Sequence, residues 1–424
     1  MRLLLDLTPL RESVPYRHLW VGQLASALGA QLATTAIALQ LFALTGSSMS
    51  VGLVGLFALV PIVVVGLYGG AVVDVFDRRK VALAGGVLLW VTGGLNVAQA
   101  ALGNTETWVL YGLVVLHSTG FAIVSPARSA IYPRLLPPHQ LPAANALNAI
   151  VMSGSMFVGP LLAGFMVEHV GYTMTYLGDA LLYTVAMWGM WTLPPVPPQG
   201  SVAGVRARMP GLRSVADGVR FLATAPNIRM TFLTDFCAMV LANPRALLPA
   251  VAIVWLGGTE GTTGVLSAAI AAGALLALTF SGPVGRVRRQ GVGTVAAVGS
   301  YGVAVALAGA AVLLGGHLGA PWALVLVCVA LAVSGSADSI AMVFRTTILQ
   351  VATPDHLRGR LQGIFIVVVA GGPRLGEFLL GSLATVTGEG WALVAAGVAC
   401  VLALAAVVAL QRKFLDYDAE DPQP

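Results

Sequence analysis

The chain has 424 residues, of which 57% are hydrophobic and only 10% are charged, and its mean hydropathy is +0.86. This composition excludes an ordinary soluble domain, in which about a quarter of the residues carry a charge. The net charge of +5 would suggest nucleic acid as a partner of a soluble protein, but here the basic residues flank hydrophobic segments. No nucleic-acid binding is therefore expected.

Twelve hydrophobic segments are long enough to cross a lipid bilayer, since a helical span needs about 20 predominantly apolar residues. The sequence therefore predicts an all-α integral membrane protein with twelve transmembrane helices. The predicted spans are 18–44, 50–73, 81–102, 107–132, 141–167, 173–192, 227–256, 262–284, 292–315, 321–350, 361–386 and 390–411.

The basic residues predict the orientation of these spans. Every Lys and Arg outside them lies in the N-terminal segment, the C-terminal segment or every second connection, and the other connections contain none. Loops rich in Lys and Arg remain on the cytoplasmic side. Both termini are therefore predicted to be cytoplasmic, in a multi-pass protein of the cell membrane.

A polar stretch at 193–226 divides the chain into six spans and six spans. It is rich in Pro, Gly, Ser and Arg, and 213–222 has the apolar spacing of a short amphipathic helix at the membrane surface. We predict an N-terminal six-helix bundle at 1–192, a cytoplasmic linker at 193–226, and a second bundle with a cytoplasmic tail at 227–424.

The two halves also share landmarks in the same order and at a nearly constant offset, which indicates two parallel six-helix repeats. Repeats of this kind enclose a site near the middle of the membrane, and rocking of one half on the other exposes it alternately to the two sides. The matching landmarks are Arg78-Arg79 with Arg288-Arg289, Arg128 with Arg345, and Gly159-Pro160 with Gly372-Pro373.

Four stretches resemble a known family. The run 70–80 resembles the major facilitator superfamily signature between spans 2 and 3, except that Val75 and Asp77 replace an arginine and a glycine. The run 154–164 resembles a motif of exporters in this superfamily. The stretches 126–148 and 354–360 resemble the branch that contains enterobactin exporters and macrolide efflux proteins. The residues that carry the first two motifs are Gly70, Asp74, Arg78 and Arg79, and Gly154, Gly159, Pro160 and Gly164.

This resemblance implies a proton-coupled exporter of a siderophore or a related hydrophobic small molecule, working by alternating access as a monomer in the bilayer. The alternatives are a multidrug or macrolide efflux pump, or an importer or lipid transporter on the same fold. The sequence contains no phosphate-binding loop, no zinc-binding His-Glu-x-x-His and no Gly-x-Ser-x-Gly turn. We therefore expect no enzyme activity, no cofactor and no metal.

Charged residues inside the spans are the best pointers to substrate and proton sites, because a charge in hydrocarbon needs a partner or a water-filled cavity. The resemblance places spans 1, 4, 7 and 10 around the cavity. Asp235 and Asp338 are the leading proton carriers, Arg245 is expected to attract an anionic substrate, and Arg128 or Arg345 to approach Asp235. Asp338 and Arg345 share a helix face but lie two turns apart. The cavity candidates are Gln31, Thr34, Arg128, Asp235, Arg245, Asp338 and Arg345.

Other polar residues have a structural interpretation beside the functional one. Arg374 and Glu377 are expected to pair with each other, and Asp179, near the outer end of span 6, to be solvated. His117 is either a proton relay or a buried structural donor. The basic residues after Asp74 form either a gating ion-pair cluster or a topological anchor. Gly159-Pro160 marks either a kink or a packing notch.

Overall fold

The computed structural model describes residues 6–197, 222–279, 287–353 and 358–418, and gives the backbone alone at 66–75, 318, 358–367 and 370. The predicted amphipathic helix at 213–222 falls, except for its last residue, outside this part of the chain. The same is true of most of the predicted linker.

The described part of the chain is helical, and long α-helices account for most of it. They follow the predicted spans closely, because runs of apolar residues in lipid satisfy their backbone hydrogen bonds only within a helix. The α-helices are α1 Thr8–Glu12, α2 Val14–Thr45, α3 Ser48–Val75, α4 Arg78–Ala101, α5 Thr107–Leu135, α6 Leu141–Trp191, α7 Pro226–Met239, α8 Leu248–Ala250, α9 Glu260–Thr279, α10 Gln290–Leu313, α11 Gly315–Leu318, α12 Ala320–Ala352, α13 Arg358–Thr387 and α14 Glu389–Leu410.

Nine helical stretches of the described residues are long and apolar enough to cross a membrane. The all-α membrane fold is thereby confirmed, whereas the count of twelve spans stays a prediction. The nine stretches are Val14–Thr45, Ser48–Val65, Arg78–Ala101, Thr107–Leu135, Pro138–Trp191, Glu260–Thr279, Gln290–Leu313, Ala320–Ala352 and Glu389–Leu410.

The longest helix, α6, is two helices joined at Gly171, where the backbone is not helical and φ is 78°. An unbroken helix of 51 residues would be about 77 Å long, more than twice the hydrocarbon thickness of about 30 Å. The predicted loop between spans 5 and 6 is therefore reduced to a single glycine, which adopts a positive φ without steric strain.

The chain divides into two compact units, which lie within Met1–Gln40 plus Phe57–Met209 and within Leu41–Leu56 plus Pro210–Pro424. The predicted domain boundary at 193–226 assigns the segment 41–56 to the first bundle, whereas the two compact units group this segment with the second. The boundary therefore stays a prediction.

Corresponding helices pack against each other in the two units. In the first, α4 packs against α5 and α6, and in the second, α10 packs against α12 and α14. These are the same positions in each six-span half, as the repeat predicts. Small residues allow the close approach: a Cβ on Gly302 would lie 3.0 Å from the carbonyl oxygen of Gly397.

The segment after α14 folds back onto the second unit. Phe414 and Tyr417 are buried against Met230 and Ile348, and burial raises the pKa of the Tyr417 hydroxyl. Arg288 Nη2 lies 3.2 Å from Asp418 Oδ2. The last helix is therefore followed by a docked segment, 411–418, which holds together helices α7, α10 and α12.

Candidate functional site

Span 7 is broken in the structure, which corrects the prediction of one helix over 227–256. Helix α7 ends at Met239. A 3-10 turn at Arg245–Leu247, the short α8 and a π turn at Val251–Trp255 follow it. Pro244 and Pro249 explain the break, because proline removes a backbone donor and disfavours a helical residue before it.

The polar groups released by this break are satisfied by neighbouring helices. Tyr301 on α10 donates a hydrogen bond to the carbonyl oxygen of Ala242 at 3.0 Å. Asn243 Nδ2 donates to the carbonyl oxygen of Pro373 on α13 at 3.1 Å, and Asn243 Oδ1 accepts from the backbone of Arg245 at 3.3 Å. Irregular backbone at membrane depth is tolerated where protein supplies such partners.

One turn before this break, Asp235 faces an arginine from another helix. Arg345 Nη1 on α12 lies 2.6 Å from Asp235 Oδ1. Arg345 Nη2 donates a hydrogen bond to Asp338 Oδ1 at 3.2 Å. Asp235 accepts no aligned hydrogen bond from the described residues, so its contact with Arg345 is an ion pair. We call Asp235, Arg345 and Asp338 the carboxylate–arginine triad.

The triad joins residues that the sequence placed two turns apart. Seven residues of α-helix rise about 10.5 Å, and the Arg345 side chain crosses this distance because helical side chains point toward the N-terminus. Asp338 and Arg345 share a helix face, as predicted, and the long Arg345 side chain lets them meet across two turns.

The two carboxylates of the triad differ in exposure. The side chains of Arg345 and Asp235 are 0% and 2% exposed, whereas that of Asp338 is 32% exposed. One guanidinium therefore bridges a buried carboxylate and a partly open one. With both carboxylates ionised, the triad carries one negative charge in excess.

Arg245 lies beyond the break of span 7 and is exposed. No salt bridge links it to another described residue. Its charge is therefore available to an anion on the second unit.

In the first unit, Arg128 on α5 is likewise without a carboxylate among the described residues. Its Nη1 lies 3.4 Å from Ser26 Oγ on α2, with which it forms a hydrogen bond. Tyr132, one turn further, donates a hydrogen bond to Gln23 on α2. Sequence reasoning missed Ser26, although it lies three residues after Gln23 and so on the same helix face.

Gln31 lies where α2 meets the first half of α6. A Cβ added to Gly159 would overlap the Cβ of Gln31. Gly159, Pro160 and Gly164 are buried, whereas a Cβ on Gly154 would meet nothing within 4 Å. Gly159 thus makes the tight contact with α2, and Gly154 lies outside it. The choice between a kink and a packing notch stays a prediction.

Thr34 is exposed, and its hydroxyl donates to the carbonyl oxygen of Ala30 at 2.7 Å. The structure therefore leaves it without a tertiary hydrogen bond among the described residues.

Arg78 and Arg79 of the signature motif bind backbone carbonyl groups. Arg78 Nη1 donates to Ala130 at 3.1 Å and Arg79 Nη2 donates to Trp191 at 2.6 Å. Gly70 and Asp74 lie in α3, where only the backbone is described, so the predicted ion-pair cluster of Asp74 remains a prediction.

The pairing expected for Arg374 and Glu377 is confirmed, with Nη1 3.5 Å from Oε2. The expectation that Asp179 is solvated was wrong: it is 1% exposed.

His117 lies near Tyr183, with ring centroids 6.5 Å apart. No group of three or more His, Cys, Asp or Glu side chains suited to a metal ion occurs in the part of the chain that was described.

Two helical units of matching packing, helices that span a bilayer and paired charges at membrane depth define a class of protein, the secondary membrane transporters. The chain belongs to the major facilitator superfamily, since residues 5–424 match the family of transmembrane secretion effectors, MFS_3. The resemblance inferred from the motifs is thereby confirmed, and the protein is a multi-pass membrane transporter.

Sequence relatives cover nearly the whole chain. The protein is 26% identical over 410 residues to the enterobactin exporter EntS of Citrobacter koseri. The aligned region covers 95% of this chain and 94% of the exporter. Identity to enterobactin exporter EntS of Shigella boydii has the same extent. These matches confirm the narrower resemblance to the enterobactin-exporter branch.

Solved structures of transporters share the fold. The nucleoside transporter NupG (D323A mutant) has a TM-score of 0.75 and 16% identity, covering 94% of this chain and 100% of that one. The POT family transporter PepTSo has a TM-score of 0.72 and 11% identity, covering 95% and 99%. A bacterial homologue of the iron transporter ferroportin has a TM-score of 0.68 and 14% identity, covering 95% and 98%.

Proposed function

We propose that the protein is a proton-coupled exporter of a siderophore or a related hydrophobic small molecule, in the cell membrane with both termini cytoplasmic. The observation that carries proton coupling is the carboxylate–arginine triad, in which two carboxylates share one guanidinium. A proton on either carboxylate removes the excess charge and leaves Arg345 paired with the other. The triad therefore has two ion-paired arrangements that differ by the position of one proton.

Asp338 is the entry point for that proton because it is the exposed member of the triad. When Asp338 takes up a proton, its attraction for Arg345 weakens, and Arg345 remains with the buried Asp235. When Asp235 holds the proton instead, Arg345 is free to pair with Asp338 or with an anionic group of the substrate. A conformational change that alters which carboxylate meets water would then couple proton movement to transport.

Export, and a siderophore as substrate, are supported by the similarity to enterobactin exporters over 95% of the chain. Arg128 in the first unit and Arg245 in the second each lack a carboxylate partner among the described residues. Each guanidinium group suits a negatively charged group, such as a catecholate or a carboxylate. Gln31, in contact with Gly159, contributes a neutral hydrogen-bonding group in the first unit.

Transport into membrane vesicles with an imposed pH gradient tests the proposal. Vesicles of inverted orientation that contain the protein should accumulate a catecholate siderophore when the lumen is acidic, and collapse of the gradient should abolish accumulation. Metabolite profiles of medium from deletion and complemented strains identify the natural substrate. Unchanged secretion of siderophores, macrolides and dyes would overturn export of this substrate class. Accumulation that does not respond to the gradient would overturn proton coupling alone.

A further inference from the structure

Asp179 is a buried carboxyl group that the triad does not use. It lies in the second half of α6, in the first unit, and is 1% exposed. No salt bridge joins it to another described residue, and its Oδ1 accepts no hydrogen bond. Asp235, Asp338 and Glu377, in contrast, are each paired with an arginine.

Two glycines on neighbouring helices enclose this carboxyl group. A Cβ on Gly29 of α2 would lie 2.6 Å from Asp179 Oδ1, and a Cβ on Gly93 of α4 would lie 3.5 Å from Asp179 Oδ2. The lack of side chains at both positions lets α2 and α4 close directly over the two oxygen atoms. The Asp179 side chain is accordingly almost completely shielded from solvent.

Three hydrogen-bond donors of this region are used by other partners. Tyr176, one turn before Asp179, donates to Gln40 Oε1 at 2.8 Å. The amides of Gln40 and Gln99 donate to each other at 3.1 and 3.0 Å. Asn96, one turn after Gly93, is 1% exposed, and its Oδ1 also lacks a donor. Two buried acceptor atoms of this region, Asp179 Oδ1 and Asn96 Oδ1, therefore have no donor among the described residues.

The charged and titratable groups that face Asp179 leave its charge uncompensated. Gly29 on α2 and Gly93 on α4, which lie against its oxygen atoms, carry no charge. On α6 itself the neighbours are the phenols Tyr176 and Tyr183. From α5, His117 packs against Tyr183, and Arg128, which also acts electrostatically on Tyr183, forms its hydrogen bond with Ser26 and not with Asp179.

An ionised carboxylate in such a place is strongly unfavourable, since it has neither water nor a cation nor a full set of hydrogen bonds. A proton removes the charge and converts one oxygen from an acceptor, which Oδ1 leaves unused here, into a donor. We propose that Asp179 is a proton-binding site of the first unit, occupied in this conformation and separate from the triad of the second unit.

The packing around Asp179 also determines in which conformation this proton can leave. Because Gly29 and Gly93 close over both oxygens, water reaches Asp179 only when α2 or α4 moves away from α6. The site therefore exchanges its proton only in a conformation that differs from the one described. If the transporter is proton-coupled, as proposed above, this site adds a second proton that the triad does not account for.

Infrared spectroscopy of the purified full-length protein tests the proposal without any transport measurement. The expected result at neutral pH is a carbonyl band of a protonated carboxylic acid that is present in the wild type, absent in Asp179→Asn and retained in Asp235→Asn. The absence of a band that depends on Asp179 would overturn the proposal. Thermal stabilisation by Na⁺ that requires Asp179, without such a band, would identify a sodium site and would also overturn it.

A second measurement covers the case in which Asp179→Asn does not fold. Dicyclohexylcarbodiimide reacts with protonated carboxyl groups in apolar surroundings, and mass spectrometry locates the adduct in the wild type. Since the reagent also reaches Asp179 only when α2 or α4 moves away, we expect a slowly formed adduct on Asp179 that decreases as the pH rises. Glu106, in an exposed loop, is the unreactive control. No adduct on Asp179 under conditions that label other buried carboxyl groups of the protein would contradict the proposal. Loss of transport in vesicles with the infrared band intact would bear on the exporter function alone.

Discussion

Arg345 Nη1 and Asp235 Oδ1 lie 2.6 Å apart in the interior of the second unit, and neither side chain is more than 2% exposed. Removal of one member of a buried ion pair is strongly destabilising, because the other member is left charged and desolvated. The same arginine reaches Asp338, so any change at one carboxylate alters the position of Arg345 at the other. This shared arginine is the basis of the first two predictions.

Asp235→Asn should abolish proton-driven efflux while part of the substrate binding or passive exchange remains. The amide has nearly the shape of the carboxyl group but cannot take up and release a proton. Efflux from energised vesicles and substrate exchange between equal concentrations measure the two activities separately. If this variant pumps at the wild-type rate with an unchanged pH dependence, Asp235 is structural, and Asp338→Asn becomes the variant to test.

Arg345→Gln should lower the free energy of unfolding by about 3–5 kcal/mol, because it leaves the buried Asp235 without a cation. This loss should exceed that of either carboxylate variant. Thermal unfolding of the purified protein in detergent gives the change. The double variant Asp235→Asn, Arg345→Gln serves as the control and should recover much of the loss, since no buried charge is left unpaired. Additive losses in the double variant would mean that the two residues do not depend on each other.

Gly159→Ala should impair folding or transport, because the new methyl group overlaps Gln31, with a cost of about 1–3 kcal/mol. Gly154→Ala is the matched control: it lies in the same helix and motif, and its added Cβ meets nothing within 4 Å. The control should be neutral or slightly more stable, since alanine favours a helix over glycine. Thermal stability and vesicle transport are measured for both variants. Gln31→Gly removes the overlapping side chain and should restore the thermal stability that Gly159→Ala loses. Equal behaviour of the two alanine variants would rule out a tight notch at Gly159.

Single cysteines placed at Gly103–Glu106, in a chain that lacks Cys237, Cys328 and Cys400, should react with an impermeant thiol reagent from outside the cell. The connection contains no basic residue, and such loops are translocated. A cysteine at Lys413 is the control and should react only after the membrane is opened. Labelling of the Gly103–Glu106 positions only from the cytoplasm would reverse the predicted topology.

The sequence was sufficient to predict which segments are helices and which family the chain belongs to, because long apolar runs and short motifs are local features. The break in span 7 was not predicted: Asn243-Pro244 and Pro249 stand inside this span, but the apolar character of the whole run favoured one continuous helix. The partners that stabilise this break, such as Tyr301, come from a separate helix. No spacing within span 7 points to them.

The contents of the site were predicted less well, for the same physical reason. Asp235, Asp338 and Arg345 were each identified as charges that need partners, but the length and direction of the Arg345 side chain decide which partners they find. Asp179 was misjudged because its position near a span end suggested contact with solvent. Its burial depends on Gly29 and Gly93, which are distant in sequence and unremarkable in a chain with 50 glycines.

The docked segment 411–418 determines where a purification tag or a reporter can be attached. Phe414 is fully buried, its carbonyl group lies so close to Gly291 that a side chain there would overlap it, and Asp418 holds Arg288. A protein shortened to Leu410 would therefore expose Met230 and Ile348 to solvent, and this apolar patch would promote aggregation. For engineering, a tag or reporter should therefore leave residues 411–418 intact.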